Sequence, residues 1–484
     1  MKLLQLYFSL LIPLIFGSYF LFGEGFNEWY VFSCSVISVV HMLIFDVTTR
    51  YHFKAKGLFS VSTLFFFSYA IVFFQFPILA PFYEEIRFNS LLWMREDFVN
   101  WTTMISAGSI HLFMVGYLHV FLRKKSSGAV EVVAVANRQR LRILLFVFPG
   151  ASLFCFGLFL SVVGPSYLSG AYGGSANWGG GATYFFRLFE VFFYLTVALE
   201  IYKIKITKHK VGFIEYFLSF NFHTSFFIAF FLLFNLFTGD RGSILSTVIM
   251  LVGGYDFFFK RLPFLLSVVT ITCGVLMLAF ISDYRTQDAS MTIEERINQG
   301  KLRTEDKQFY EITGDLAASV RIMNYAVMIT PNLSDFYYGW VQFGRVAGAV
   351  PLASGVFNKV LPVRIHDTPL GSTSSSIFTY HVLGPNSKIG VGSSIIADLY
   401  IDFGIIGCFV GMALFGYFIA WVETRADGSV GLFKVVFYLL VVAQAVYWPR
   451  SFIGIAFQQW ALAMGILYLI FKYYLGKQYI KELA

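Results

Sequence analysis

The feature that most constrains this chain is a succession of apolar runs, each about twenty residues long, separated by polar links. A membrane-spanning helix needs about 20 mostly apolar residues, and twelve runs answer to that: about 3–22, 29–46, 58–80, 100–122, 143–163, 184–201, 216–237, 243–259, 262–281, 395–421, 431–448 and 452–471. Only 13% of the 484 residues are charged and 57% are hydrophobic, whereas a soluble domain carries about 25% charged residues. The chain has too little water-facing surface for a soluble enzyme, a nucleic-acid binder or a disordered protein. The expected fold is an all-α polytopic membrane protein of twelve spans. The first run lacks a small-residue cleavage motif and reads as a span rather than a removed signal. Cys34, Cys155, Cys273 and Cys408 all fall inside apolar runs and read as packing residues.

The net charge of +8 is mainly a topology signal in such a chain. Basic residues cluster in alternate links: Arg50, Lys54 and Lys56; Arg123 to Lys125 and Arg138 to Arg142; Lys203 to Lys210; Lys260 and Arg261; and Lys472, Lys477 and Lys481 in the tail. The links between these are acidic or nearly uncharged. By the positive-inside rule both termini are cytoplasmic. Residues 1–281 then carry spans one to nine, 282–394 form a large loop on the external side, and 395–484 carry the last three spans and the tail. That loop balances ten Lys/Arg against ten Asp/Glu, and its length marks it as functional or as carrying its own structure. Its 316–357 portion has the pattern of short amphipathic helices at the interface, while Asp306 to Asp315 reads as a water-facing stretch.

Four groups of residues have chemical potential. Thr238-Gly239-Asp240-Arg241-Gly242 puts an ion pair and two glycines between spans seven and eight, where Arg241 offers a planar fork of donors to a phosphate; the alternative is an interfacial turn whose arginine reaches lipid phosphates. Arginines on the outer side run against the positive-inside bias: Arg285, Arg296, Arg303, Arg321, Arg345, Arg364 and Arg450. Of these, Arg345, Arg364 and Arg450 lie in apolar or proline-containing surroundings and are the better anion ligands; ion pairs within the loop claim many of the rest. His366 and Asp367, and later Tyr380 and His381, offer a base or an orienter for a hydroxyl, against the blander reading of solvated loop residues. Asp398 and Asp402 are four apart, hence on one helix face; a carboxylate there needs a partner or a wet cavity, and Arg241 is the partner expected for Asp398. In the sixth run Arg187 and Glu190 are spaced to neutralise each other. No metal-binding motif accompanies these groups.

Two segments resemble the O-antigen polymerase (Wzy) family: the run ending Phe237-Thr238-Gly239-Asp240-Arg241-Gly242, and the later Ala397-Asp398-Leu399-Tyr400-Ile401-Asp402-Phe403-Gly404 span entry. The order of many spans, Gly-x-Arg-Gly turn, large loop and Gly/Ser-led span is similar too. The resemblance implies a GT-C-like glycosyltransferase that moves a growing glycan from undecaprenyl pyrophosphate onto an incoming undecaprenyl-pyrophosphate-linked repeat unit. It implies catalysis at the periplasmic face, no metal or other cofactor, and work alongside a flippase and a chain-length regulator. In that setting Arg241, Arg345, Arg364, Arg450 and Arg321 are expected to bind pyrophosphate. Asp398, Asp240 or His366 would act as base or orienter, and Tyr337, Tyr338, Trp340, Tyr380 and His381 would contact sugar. A glycan ligase, a lipid-linked oligosaccharide flippase and a structural membrane protein remain alternatives; the long loop and the lack of a two-fold repeat weigh against the flippase.

Overall fold

The structure is a computed structural model. It describes residues 1–23, 25–53, 56–93, 95–123, 130–164, 181–208, 211–284, 308–349, 373–385, 387, 390–475 and 477–483. Helices of ten residues or more, numbered in chain order, are α1 (Lys2–Phe22), α2 (Glu28–His52), α3 (Val61–Leu79), α4 (Val99–Arg123), α5 (Arg138–Val163), α6 (Ala182–Thr207), α7 (Phe222–Thr238), α8 (Arg241–Phe258), α9 (Phe264–Tyr284), α10 (Val320–Ile329), α11 (Trp340–Ala349), α12 (Ser374–Leu383), α13 (Ile395–Ala426), α14 (Leu432–Val442) and α15 (Phe457–Ile470). Each of the twelve apolar runs holds one of these helices.

Among the described residues, seven helices are long and apolar enough to cross a membrane: α1 to α6, with α4 extended back to Glu96, and α13. Four of the other five runs, all but the ninth, hold shorter or less apolar helices. The seventh breaks into a short helix, Phe213–Leu218, and α7 of 17 residues, because the intervening Asn221 N–H turns to the Glu200 carboxylate at 2.8 Å. The eleventh stops at Val442, where the i to i−4 ladder gives way to i to i−3 turns, Gln444 N donating to the Val441 carbonyl and Ala445 N to that of Val442 at 3.1 Å each. The twelfth holds a helix of 14 residues; α8 has 18 and α9 has 21. One departure from an all-helical chain occurs among the described residues: Val130–Ala136 pairs antiparallel with Lys477–Leu483.

The centre of the bundle is the contact of α4 with α13, the most extensive between any two helices. Without hydrophobic drive inside a membrane, helices gain by close van der Waals approach at small residues. Here a Cβ on Gly116 would fall 1.9 Å from the Ala413 carbonyl oxygen, and one on Gly416 would fall 2.0 Å from that of Phe113, so each helix lays its backbone on the other's glycine. Phe65, Phe113, Phe415 and Trp448 fill the space beside this contact. At mid-bundle Tyr7, His41 and His111 form a chain: Tyr7 Oη lies 2.8 Å from His41 Nε2, His41 Nδ1 2.9 Å from His111 Nε2, and His111 Nδ1 2.7 Å from the Ala107 carbonyl oxygen. The last contact requires a proton on His111 Nδ1 and so sets one direction for the chain, with His41 Nδ1–H and then the Tyr7 hydroxyl donating. This ties α1 to α2 and α4.

Basic links predicted to share a side do meet at one end of the bundle. Arg261 donates to the Phe53 carbonyl at 2.9 Å, Arg138 to that of Ile206 at 2.9 Å, and Arg140 to that of Tyr474. Four carboxylates close this end. Glu423 accepts from Ser62 N at 2.9 Å and from the Tyr117 hydroxyl. Asp256 accepts from Phe59 N at 3.0 Å and Leu262 N at 2.8 Å. Glu200 pairs with Lys203 and with Asn221, and Asp46 with Arg50 at 2.6 Å and Lys56 at 3.2 Å.

Candidate functional site

The opposite end of the bundle is built differently. Helix α7 ends at Gly239, whose φ of 70° is left-handed and needs no Cβ. Asp240 follows as the N-cap of α8, its carboxylate accepting from Gly242 N at 2.9 Å and Ser243 Oγ at 2.8 Å. An aspartate at that position satisfies amides left open by the first turn. Asp240, one of the expected bases, is thereby engaged in shaping the turn. The turn holds Arg241 at the first helical position, and Tyr447 donates from the far side to the Gly242 carbonyl at 2.9 Å.

Arg241 and Arg450 line one cavity, with about 660 Å³ of empty space including its open mouth. Its walls are mostly apolar: Leu245 from α8, Val275 and Ala279 from α9, Leu316 from the short helix Gly314–Ala317, and Val446 beside Tyr447. Asp315 is the carboxylate among the described lining residues, and its Oδ2 lies 3.2 Å from Arg241 Nη1. Arg241 and Arg450 put two guanidiniums on mostly apolar walls, where Coulombic attraction for an anion is several times that in bulk water. Arg241 is 23% exposed and Asp315 55%, so both remain within reach of a solute. The expected pairing of Asp398 with Arg241 does not occur.

Asp398 and Asp402 do share a face, and that face meets α11. Asp402 accepts from Gln342 N at 3.0 Å and from Gly339 N and Val341 N at 3.2 Å each, covering the amino end of α11. Asp398 accepts from the Gln342 side-chain amide. The helix α13 breaks at Gly404 (φ 62°, ψ −154°), a conformation accessible to glycine alone. The carbonyls of Ile401 and Asp402 instead accept from Tyr337 N and Tyr338 N, at 2.9 Å each. The loop is thus sewn into a gap in a membrane helix, non-helical backbone being tolerated there because protein covers it. Asp402 was absent from the expected site residues; its i, i+4 relation to Asp398 was the signal for it.

The remaining expected residues fall as follows. Tyr337 is 5% exposed, serving the junction with α13, while Tyr338 and Trp340 are exposed beside it. Tyr380 and His381 lie on α12 with their rings edge-on at 5.3 Å, and partial burial pushes the His381 imidazole below its usual pKa. Arg321 stands in the first turn of α10 and, like Asp398, does not line the arginine cavity among the described residues. Arg345 lies on α11, but its side chain is outside the described residues, as are Arg285, Arg296, Arg303, Arg364 and His366. Arg187 meets Glu190 at 2.9 Å, the local pair its spacing predicts.

Fold and site together define an integral membrane protein with a cationic, apolar-walled cavity at the end of the bundle away from its basic links. The family model described as O-antigen polysaccharide polymerase Wzy matches residues 5–478, nearly the whole chain. The chain belongs to that family, whose members are membrane glycosyltransferases, and is accordingly an integral inner-membrane protein. No curated protein and no solved structure matches it.

Proposed function

We propose that the chain polymerises lipid-linked oligosaccharide repeat units at the periplasmic face, with the diphosphate of the polyprenyl donor held between Arg241 and Arg450. One observation carries this reading: two arginines from distant parts of the chain line a single apolar-walled cavity. Cleaving a glycosyl diphosphate builds negative charge on the leaving oxygen, and preorganised donors aimed at developing charge in a water-poor site lower a barrier by several kcal/mol. Guanidiniums also match phosphate oxygens in a planar fork. They supply charge neutralisation that a divalent ion provides elsewhere, and no metal enters the scheme. In this reading Tyr338 and Trp340, exposed at the loop junction, stack on sugar.

In this reading the chain has twelve spans in a GT-C-like arrangement, the basic links and both termini face the cytoplasm, and residues 282–394 with the cavity face the periplasm. A flippase supplies the lipid-linked units and a chain-length regulator acts alongside. A glycan ligase would employ a similar cavity, so the product decides. Deleting the gene is expected to leave surface glycan with one repeat unit and no ladder; complete loss of the first repeat would favour ligase or flippase, and an unchanged ladder would remove the polymerase reading.

A further inference from the structure

We infer that a groove between α13, α14 and α15 binds an anionic phospholipid, with the lipid phosphate on Arg425 and a hydrocarbon chain along the aromatic rings below it. The groove shares no lining residue with the arginine cavity and does not depend on the diphosphate reading. It holds about 660 Å³ of empty space including its open mouth, and is walled by Trp421 and Arg425 from α13, Phe433, Lys434 and Phe437 from α14, and Met464 from α15. Arg425 stands in the last turn of α13 and is exposed, two residues from Glu423 at the end where the basic links gather. Its guanidinium carbon lies over the Trp421 ring, 4.8 Å from the centre. Among the described residues no carboxylate comes within ion-pair distance of it, and Glu423 is taken by Ser62 and Tyr117. A guanidinium attracted to the face of an indole keeps N–H donors for a second partner, and their fork fits phosphate oxygens.

Below the cation the groove is aromatic. The Trp421 and Phe437 rings are 6.4 Å apart, and those of Phe437 and Trp460 5.7 Å. Tyr417 and Leu414 lie four and seven residues before Trp421, hence on the same side of α13. Both are exposed, so the groove opens onto a surface that meets lipid in a spanning helix. A stacked cation above a ring-lined trough matches one kind of amphiphile, a phosphate of net negative charge carrying hydrocarbon chains. A soluble anion gains nothing from the rings, and a zwitterionic lipid brings a cation of its own to Arg425. Basic pockets between spans near a membrane surface take anionic headgroups in this way. A lipid seated there ties α13 to α14 and α15, and a ligand that binds only the folded chain raises its stability.

The test uses the full chain in detergent micelles doped with phosphatidylglycerol, with phosphatidylcholine or with neither, reading retained lipid by native mass spectrometry and the melting temperature alongside. Wild type is expected to retain phosphatidylglycerol over phosphatidylcholine by about fivefold or more, the scale for one basic residue near a membrane surface, and to melt higher with it. Arg425→Gln, at an exposed position, is expected to melt as wild type does in undoped micelles and to bring the lipid ratio close to one; Arg425→Lys should keep part of the preference. A ratio close to one in wild type, or an unchanged ratio in Arg425→Gln, overturns the inference. Displacement of phosphatidylglycerol by inorganic phosphate also overturns it, since that marks a site for free anion. A second measurement does not depend on the arginine variants: phosphatidylglycerol with brominated chains should quench part of the tryptophan emission, and Trp421→Phe should remove that part. Equal quenching in wild type and Trp421→Phe would put the lipid elsewhere and sink the proposal.

Discussion

The two ends of the bundle handle charge in opposite ways. At the basic end, Glu423, Asp256 and Glu200 are buried and accept from loop amides, hydroxyls or a lysine, while Asp46 holds Arg50 and Lys56. At the other end, Arg241 and Arg450 face a cavity in which Asp315, more than half exposed, is the acid among the described lining residues. A buried carboxylate whose lone pairs are filled by fixed groups holds loops in place, and nothing can replace those groups without unfolding the turn. A cation facing open space, paired with an exposed acid, can trade that acid for another anion at small cost. Net charge does not separate the two ends; the mobility of the partner does.

The sharpest way to break this contrast is at the cavity. Arg241→Ala is expected to lower polymer formation by about two to three orders of magnitude, the scale for losing a donor to developing charge, with membrane insertion unchanged; a normal glycan ladder at normal protein level would put Arg241 outside the site. Next comes the junction. Asp402→Asn replaces an acceptor of three amides with a group that presents donors to them, and is expected to reduce turnover about tenfold by loosening α11, in accord with the sensitivity of transfer to small misplacements. Protease accessibility near Trp340 should rise in parallel, and an unchanged digestion pattern would contradict the latch.

At the basic end the effect should appear in stability instead. Glu423→Ala strands Ser62 and Tyr117 and is expected to cost about 1–3 kcal/mol, lowering the melting temperature in detergent while activity per folded molecule stays within about threefold. A large drop in specific activity without loss of stability would erase the distinction between the ends. Smallest is Arg95→Ala, which removes an ion pair with both partners more than half exposed; stability should change by less than about 1 kcal/mol, and the ladder should be unchanged.

Much of the framework was legible because its causes are local. Each of the twelve apolar runs contains a helix, and the alternating basic links do gather at one end. The Arg187–Glu190 pair is three residues apart and needs nothing beyond its own helix. The capping role of Asp240 is equally local: an aspartate directly before Arg241-Gly242-Ser243 and an apolar run has the form of an N-cap, which makes it a shaper of the turn rather than the expected base. Four apolar runs support shorter or less apolar helices than full spans, since hydropathy does not register where Glu200 captures an amide or where an i to i−4 ladder gives way to i to i−3 turns.

The site was legible in part. Arg241 stood out through its glycine-flanked turn and Arg450 through its proline-containing surroundings, yet nothing in either neighbourhood shows that they line one cavity. Asp315 reads as a water-facing loop acid, and its contact with Arg241 on α8 comes only from packing. Asp398 meets the Gln342 side chain rather than Arg241 for the same reason.

Apolar runs and the sign of alternate links made this chain a multi-span membrane protein, since transfer of a side chain between water and lipid depends on that side chain and its near neighbours. Which charges are locked and which face open space depended on tertiary structure, because a carboxylate and an arginine acquire their roles from whatever the packed helices bring within about 3 Å.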